Sequence, residues 1–382
     1  MLKRPKRVVH VVGARPNYMK IAPVMRVMGR HGDRWQQVLV HTGQHYDHQL
    51  CQVFFQDLGL PQPDVYLGVG SGSHAEQYAR VLLAFEPVLR EQRPDWVIVV
   101  GDVNSTLASA LCASQMRIPV AHVEAGLRSF DRSMPEELNR ILTDHLSEIL
   151  FTSEPSGDQN LAREGIHEEK IRFVGNTMID TLIAMLPQTE DGRIVKALGL
   201  WGSRDEGPQI ADKSATARTA YVLVTLHRPQ NVDNPVALSE LLAALEGIAR
   251  DLPVLFPVHP RTRRKIEENH LSVRPARTRL LEPLGYLDFL TLMRHAKLVI
   301  TDSGGIQEET TYLGVPCLTV RPNTERPVTI KMGTNRLVKR KKAAILKATY
   351  EALDGGQFER LPLPPLWDGR AAERIVGHLE RP

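Results

Sequence analysis

The 382-residue chain carries 48 Lys and Arg against 44 Asp and Glu, a formal net charge of +4, and is 42% hydrophobic and 24% charged. That balance excludes disordered, collagen-like and fibrous classes, and the length suits two domains, each with its own core. The charge surplus is too small, and the basic runs Lys3-Arg4-Pro5-Lys6-Arg7 and Lys339-Arg340-Lys341-Lys342 too short, to point to nucleic acid as a partner.

Along the chain, the run at residues 8–12 predicts a first buried strand, followed by an amphipathic helix at 18–28 and a strand at 37–40. A helix at 76–89 leads to strands at 96–100 and 120–123, then a helix at 135–146 and a strand at 172–174. The pattern lapses from 187 to 219, where Gly, Pro, Asp, Glu and Ser without periodicity read as a loop-rich connector. It resumes with strands at 221–225, 254–258, 278–281, 298–301 and 316–320, separated by helices, and ends on a helix at 368–379. Strand and helix in alternation predict an α/β fold of two doubly wound, Rossmann-like domains facing a cleft. The boundaries are set at 1–183 and 184–360, with 361–382 as a terminal segment whose docking the pattern does not reveal.

Cys51, Cys112 and Cys317 are far apart and form no C-x-x-C pair, which excludes a disulfide framework or a thiolate zinc site. Residues 8–13 are too short and polar for a signal core, and no apolar run approaches the roughly 18 residues of a membrane span. The expectation is a cytoplasmic protein with no membrane partner.

In open α/β sheets ligands bind beyond the carboxyl ends of the strands, so the residues there are the candidates. The first strand leads into Gly13-Ala14-Arg15-Pro16-Asn17, with Lys20 one turn later. Arg15 and Lys20 suit an anion at a helix N-terminus, or are surface cations beside a simple turn. No G-x-G-x-x-G is present, so a dinucleotide fingerprint is missing. Asp102 follows the strand at 96–100 and either caps the next helix or acts chemically. Glu124 ends a buried strand, where a carboxylate is hard to explain structurally; Glu136 and Glu137 fit the dipole of a first helical turn. Three acidic positions at one sheet edge would still make an acid/base cluster.

In the second half, His227 and Arg228 follow a strand and suit phosphate binding or proton transfer, and His259 is placed similarly. The stretch Asp302-Ser303-Gly304-Gly305-Ile306-Gln307-Glu308-Glu309 puts two glycines and a hydroxyl between strand and helix. Exposed backbone N–H groups there suit a diphosphate, and Glu309 one turn on suits sugar hydroxyls. A further charged loop contains Arg326. His41, His45, His48 and Asp47 hint at a metal site, but Gly43 puts the first two on a turn, so the reading is a polar loop with no metal.

These motifs together resemble the non-hydrolysing UDP-N-acetylglucosamine 2-epimerases. They are Gly13-Ala14-Arg15-Pro16 with Lys20, Thr42-Gly43-Gln44-His45, Gly101-Asp102, His122-Val123-Glu124-Ala125-Gly126-Leu127-Arg128, Pro135-Glu136-Glu137 with Asn139-Arg140, Gly175-Asn176-Thr177, His227-Arg228, Asp302 to Glu309, and Thr324-Glu325-Arg326-Pro327. They run in order over residues 8–338. The resemblance implies a fold like that of GT-B glycosyltransferases, a homodimer, and interconversion of UDP-GlcNAc and UDP-ManNAc with no metal or nicotinamide cofactor. It implies that the last helix crosses back to the first domain. By the matching motifs, Asp102, Glu124 and Glu136 would be the acid/base carboxylates, with His227 near the diphosphate. Arg15 and Lys20 would hold phosphates; Ser303, Gly304 and Gly305 the diphosphate, aided by Arg228 and Arg326; Glu309 the ribose; and Phe289 the uracil.

The chemistry such a family performs needs these residue types. The sugar's C2 proton gains acidity only as UDP leaves C1, so elimination yields a glycal, and re-addition with protonation of the opposite face inverts C2. That requires stabilisation of a departing diphosphate and a proton-transfer group for each face. It also requires a closed cleft to retain the intermediate. Asn17 stands where many members carry Glu, and Tyr46-Asp47 replaces polar residues usual there. The segment at 71–74 lacks the Arg of members activated by UDP-GlcNAc, so the resemblance carries no expectation of that activation. A related UDP-sugar substrate modified at C3 or oxidised at C6, a hydrolysing relative releasing ManNAc and UDP, a GT-B glycosyltransferase and a non-catalytic UDP-sugar sensor are the competing readings.

Overall fold

Short β-branched runs build two separate, all-parallel sheets in the computed structural model, which describes residues 4–43, 55–200, 219–271, 277–355 and 362–380. Lys3, Gln44, His45, Tyr46, Asp47, His48, Cys51 and most of the connector therefore lie outside the described residues. The first sheet holds β1 (Lys6–Val12), β2 (Trp35–His41), β3 (Val65–Tyr66), β4 (Trp96–Val100), β5 (Val120–Ala125), β6 (Ile149–Thr152) and β7 (Ile171–Phe173), in the order β3-β2-β1-β4-β5-β6-β7. Its central strands are apolar on both faces because helices cover both. Val9 stands between Val38 and Val97 in register, and packs in one core with Val11, Phe85 and Val99. The helices of this unit are α1 (Arg15–Gly29), α2 (His74–Gln92), α3 (Asn104–Gln115), α4 (Pro135–Leu146), α5 (Pro155–Arg163) and α6 (Thr177–Met185).

The second unit begins with a 3-10 turn at Leu186–Thr189 and α7 (Arg193–Ala197), so part of the stretch read as a loop-rich connector is helical. Its sheet contains β8 (Val222–Thr225), β9 (Val254–Pro257), β10 (Thr278–Leu281), β11 (Leu298–Thr301), β12 (Cys317–Thr319) and β13 (Asn335–Leu337), ordered β10-β9-β8-β11-β12-β13. Around it lie α8 (Pro229–Val232), α9 (Pro235–Ile248), α10 (Pro260–Glu268), α11 (Tyr286–His295), α12 (Gly304–Leu313), α13 (Val328–Lys331) and α14 (Lys342–Leu353). Asn234 starts α9 by accepting from the N–H groups of Val236 and Ala237, and the apolar faces of α9 and α14 close the core over Val222, Val224 and Ile300.

One compact unit extends to Ala184 and takes in the chain from Pro364 onward; the other runs from Met185 to Leu363. The last helix, α15 (Ala371–Glu380), packs on α1 of the first unit. Asp180 of α6 caps it, accepting from the N–H groups of Ala371 at 3.2 Å and Ala372 at 2.7 Å. The helix starts later than the pattern suggests because Asp368 accepts from the Arg370 N–H and pairs with Arg374, as a residue ahead of a helix does. In both sheets the strand order reverses beside the first strand, at β1/β4 and at β8/β11. Those two switch points are where a ligand finds room above the strand ends.

Candidate active site

At the first switch point, Asn17 does the work of a cap. Its Oδ1 accepts from the N–H groups of Gly13 and Ala14, both at 3.0 Å, while its Nδ2 donates to the Val100 carbonyl at 2.9 Å. The residue that departs from the common pattern thus ties the β1 loop to β4. Lys20, one turn along α1, reaches the Glu124 carboxylate at 2.6 Å, and both side chains are only 5% exposed. Gly101, at φ +67°, packs against this pair: a Cβ there would lie 2.8 Å from Lys20 Nζ and 3.8 Å from Glu124 Oε1. Glu124 itself has φ +72°, and the β5/β6 register shifts between Val123 and Ala125. A left-handed conformation in a non-glycine residue costs of order 1–3 kcal/mol and survives only where the surroundings enforce it. Here it brings the carboxylate at the end of β5 onto Lys20. Arg15 opens α1.

Asp102, directly after β4, pairs with Arg140 of α4 at 2.6 Å. The same guanidinium binds Glu137 at 2.6 Å, and Glu137 also accepts from the Ser129 N–H and hydroxyl and from the Phe130 N–H. Asn139 donates to the Asp102 carbonyl at 2.8 Å. Of the two adjacent glutamates, Glu137 is buried and structural, whereas Glu136 is half-buried at the start of α4. The first unit therefore brings Lys20, Gly101 and Glu124 together and sets Asp102 on a buried arginine.

At the second switch point, the buried Asp302 stitches the loops after β8 and β11. Its carboxylate accepts from the N–H groups of His227 and Arg228, from Asn231 Nδ2 at 2.9 Å, and faces His227 Nδ1 at 3.0 Å. Burial alone would raise this carboxyl, but His227 and the surrounding donors hold it below the ordinary range. His227 is left 41% exposed, with His259 at a ring separation of 6.0 Å. His259 caps α10, accepting from the Arg261 N–H, which gives it a structural task. Arg228 donates through Nε to the Asp302 carbonyl at 2.9 Å.

Ser303 precedes α12, whose first turn holds Gly304 and Gly305 and no acidic side chain, so the N–H groups present positive potential to an anion. A Cβ on Gly304 would fall 2.5 Å from Arg326 Nη1 and 2.8 Å from Glu325 Oε1. Arg326 is buried against Glu325 at 2.5 Å and Glu308 at 2.9 Å, and Arg321 reaches the other Glu325 oxygen at 2.8 Å. Thr324 joins this loop to α12 by donating to Gln307 at 2.7 Å. Glu309 lies deeper, accepting from the Tyr286 hydroxyl at 2.8 Å; burial pushes its pKa up to about 8. Phe289 is half-buried, three residues after Tyr286 on α11. Among the described residues, no three His, Cys, Asp or Glu side chains group closely enough to hold a metal ion.

Residues 30–380 match the family model described as UDP-N-acetylglucosamine 2-epimerase. The chain belongs to that family. It is 41% identical to the UDP-N-acetylglucosamine 2-epimerase of Methanocaldococcus jannaschii, over 96% of each chain. A crystal structure of the UDP-GlcNAc 2-epimerase from that organism, in complex with UDP-GlcNAc and UDP, superposes with a TM-score of 0.86 at 40% identity, covering 98% of this chain and 99% of that one. The UDP-2,3-diacetamido-2,3-dideoxy-D-glucuronate 2-epimerase of Pseudomonas aeruginosa is 36% identical, over 98% of this chain and 99% of the relative.

In this epimerase-family chain, Asp302 and Glu325 lie inside motifs visible in the sequence and Arg321 opens the charged loop that holds Arg326, but no sequence signal gives their individual partners. Nothing in a motif marked Tyr286, whose hydroxyl meets Glu309 only because α11 and α12 pack together.

Proposed function

We propose that the protein is a non-hydrolysing UDP-GlcNAc 2-epimerase, an isomerase that interconverts UDP-GlcNAc and UDP-ManNAc through a 2-acetamidoglucal. The observation that carries this reading is the pair of carboxylates, Asp102 and Glu124, each held by a buried cation at neighbouring strand ends in a chain of this family. One takes the C2 proton as the C1–O bond breaks with its electron pair going to UDP, leaving a C1=C2 double bond. A second group, Asp102, Glu124 or Glu136, delivers a proton to the opposite face as UDP re-adds to C1. Lys20, bound to Glu124 in this structure, places a positive charge on that carboxylate, and in this reading Lys20 and Arg15 are the cations that hold the phosphates.

The leaving diphosphate is held by the α12 N-terminus with Ser303, Gly304 and Gly305, and by Arg228, Arg326 and His227. Phe289 stacks on uracil, and Glu309 accepts from the ribose hydroxyls. Incubation with UDP-GlcNAc in deuterated water should place deuterium at C2 and build up UDP-ManNAc. The resemblance to the Pseudomonas aeruginosa enzyme favours one second reading, a 2,3-diacetamido uronic acid derivative, and a parallel incubation with that UDP-sugar decides between them. Absence of exchange with either would sink the mechanism, and accumulation of free UDP would assign hydrolysis instead. The protein is also read as a cytoplasmic homodimer, which light scattering on the purified chain checks; among the described residues no helix is long and apolar enough to cross a membrane.

Glu309 adds a pH dependence with a definite sign. Its pKa, about 8 against an ordinary 4.5, means the apo protein holds a proton there at neutral pH. That shift stabilises the apo fold below the ordinary value and is lost as pH rises through about 8. A carboxylate accepting from both ribose hydroxyls is ionised, so binding expels the proton. UDP-GlcNAc affinity should rise by about fivefold between pH 7 and 8 and by roughly tenfold between pH 7 and 9, then level off. Calorimetry in buffers of different ionisation enthalpy should count about one proton released at pH 7, and Glu309→Gln should remove both effects.

A further inference from the structure

We infer that Asp144, acting with His122, is the positioning residue that sets the Asp102 and Glu124 loops relative to each other; this rests on the epimerase reading above. Asp144 lies near the end of α4, fully buried, on the helix whose first turn carries Glu136. Its Oδ1 accepts from His122 Nδ1 at 2.6 Å. Its Oδ2 accepts from the Gly126 N–H at 3.1 Å and faces Arg128 Nη2 at 2.8 Å. His122 in turn donates through Nε2 to the Gly101 carbonyl at 2.8 Å. Gly101 immediately precedes Asp102, and Gly126 follows Glu124 by two residues. One carboxylate thereby grips the peptide beside each of the two proton-transfer groups.

Those peptides need the grip. Gly101, Glu124 and Gly126 have φ of +67°, +72° and +78°, and a small rotation at any of them swings a carboxylate away from the sugar. Displacements of about 1 Å cost roughly 10²-fold in rate when reacting groups must be aligned. Both ring nitrogens of His122 lie within hydrogen-bond distance of an oxygen, so the ring bridges the Gly101 carbonyl to Asp144. Burial alone would raise the Asp144 carboxyl, but His122 and Arg128 hold it below the ordinary range, which keeps it an acceptor on both oxygens. The buried network extends to Glu164, which binds the far side of Arg128 at 2.7 and 2.8 Å and is 27% exposed; it reaches the Glu124 loop through Arg128, four residues beyond Glu124, and not through Gly101 or Gly126. Its inner part, Asp144 and His122, ties the peptides at Gly126 and Gly101; Glu164 ties only the Arg128 side chain.

Four variants separate positioning from stability, each measured for C2 deuterium exchange with the preferred UDP-sugar and for thermal unfolding. Asp144→Val removes both ties and His122→Phe removes the Gly101 tie; each should lower kcat by about 10²-fold with KM within about threefold. Asp144→Asn can accept from Gly126 and donate to a neutral His122, and should recover most of kcat. Glu164→Gln should lower the melting temperature yet keep kcat within about twofold. Folded Asp144→Val or His122→Phe with kcat near the parent value overturns the inference, as does a Glu164→Gln loss equal to theirs. If Asp144→Val does not fold, His122→Phe decides. A parent protein that exchanges no C2 hydrogen overturns the epimerase reading itself, whereas a normal parent with an unimpaired His122→Phe overturns only the positioning role.

Discussion

Replacing Glu124 by glutamine should reduce C2 exchange by about 10³-fold while leaving UDP affinity within about threefold. The substitution keeps size, shape and the ability to accept from Lys20, so the β5 bulge and the left-handed backbone at 124 have no new steric reason to relax. It removes the proton acceptor and the negative charge. Lys20 is then a buried ammonium without its 2.6 Å counter-charge, a situation worth about 3 kcal/mol against the fold. The two consequences are separable. Thermal unfolding reads the first unit's loss of stability, and calorimetry with UDP reads the second unit's site, which the proposed chemistry assigns to nucleotide binding. Exchange that persists within tenfold of the parent, in a folded variant that still binds UDP, would remove Glu124 from proton transfer. Asp102→Asn is the matched comparison. Arg140 keeps Glu137 as a partner there, so the stability loss should be smaller than for Glu124→Gln while the rate loss is similar.

Much of this was legible in the chain because parallel, doubly covered strands write themselves as β-branched runs. Residues 96–100, 278–281 and 298–301 are strands with the bounds read from pattern. Three strands carry no such signal. Val65–Tyr66 is two residues at a sheet edge, and Asn335–Leu337 is polar and half-buried. Ile149–Thr152 follows α4 so closely that its apolar residues blend with the helical periodicity. The site shows the same division. Glycines and charges after strands mark the switch points, but partnership depends on how elements dock. Glu136 and Glu137 are neighbours in one helical turn; Arg140 is an i,i+3 partner of Glu137 on the same helix, but only the seating of α4 decides that Glu137 receives Ser129 and Phe130. Lys20 reads as a phosphate ligand from its place in α1, yet its burial against Glu124 comes from a bulge no local pattern announces. Asp144 sits in a plain amphipathic helix, and its importance appears only when β5 is laid beside it.

Arg326→Met should weaken UDP-GlcNAc binding by about 10²-fold and destabilise the second unit by about 3 kcal/mol. Arg326 is not a cation waiting in solvent. Its guanidinium is buried between Glu308 of α12 and Glu325 of the adjoining loop, against the α-carbon of Gly304. It therefore fixes the N-terminal turn of α12, whose N–H groups the proposed function assigns to the diphosphate, and balances two buried carboxylates. Removing it leaves Glu325 with Arg321 at 2.8 Å and Arg228 at 3.8 Å, but takes from Glu308 the guanidinium at 2.9 Å. Repulsion then falls at the turn that the proposed function assigns to the leaving diphosphate, so affinity and fold should suffer together. Arg326→Lys separates charge from shape. The lysine restores a positive charge but cannot span both glutamates as the planar fork does, so affinity should recover only in part. If Arg326→Lys binds UDP-GlcNAc as tightly as the parent, charge alone suffices and the fork between Glu308 and Glu325 has no part in shaping the diphosphate site. If both variants weaken binding in proportion to their loss of stability, the arginine serves nucleotide binding by holding α12 in place.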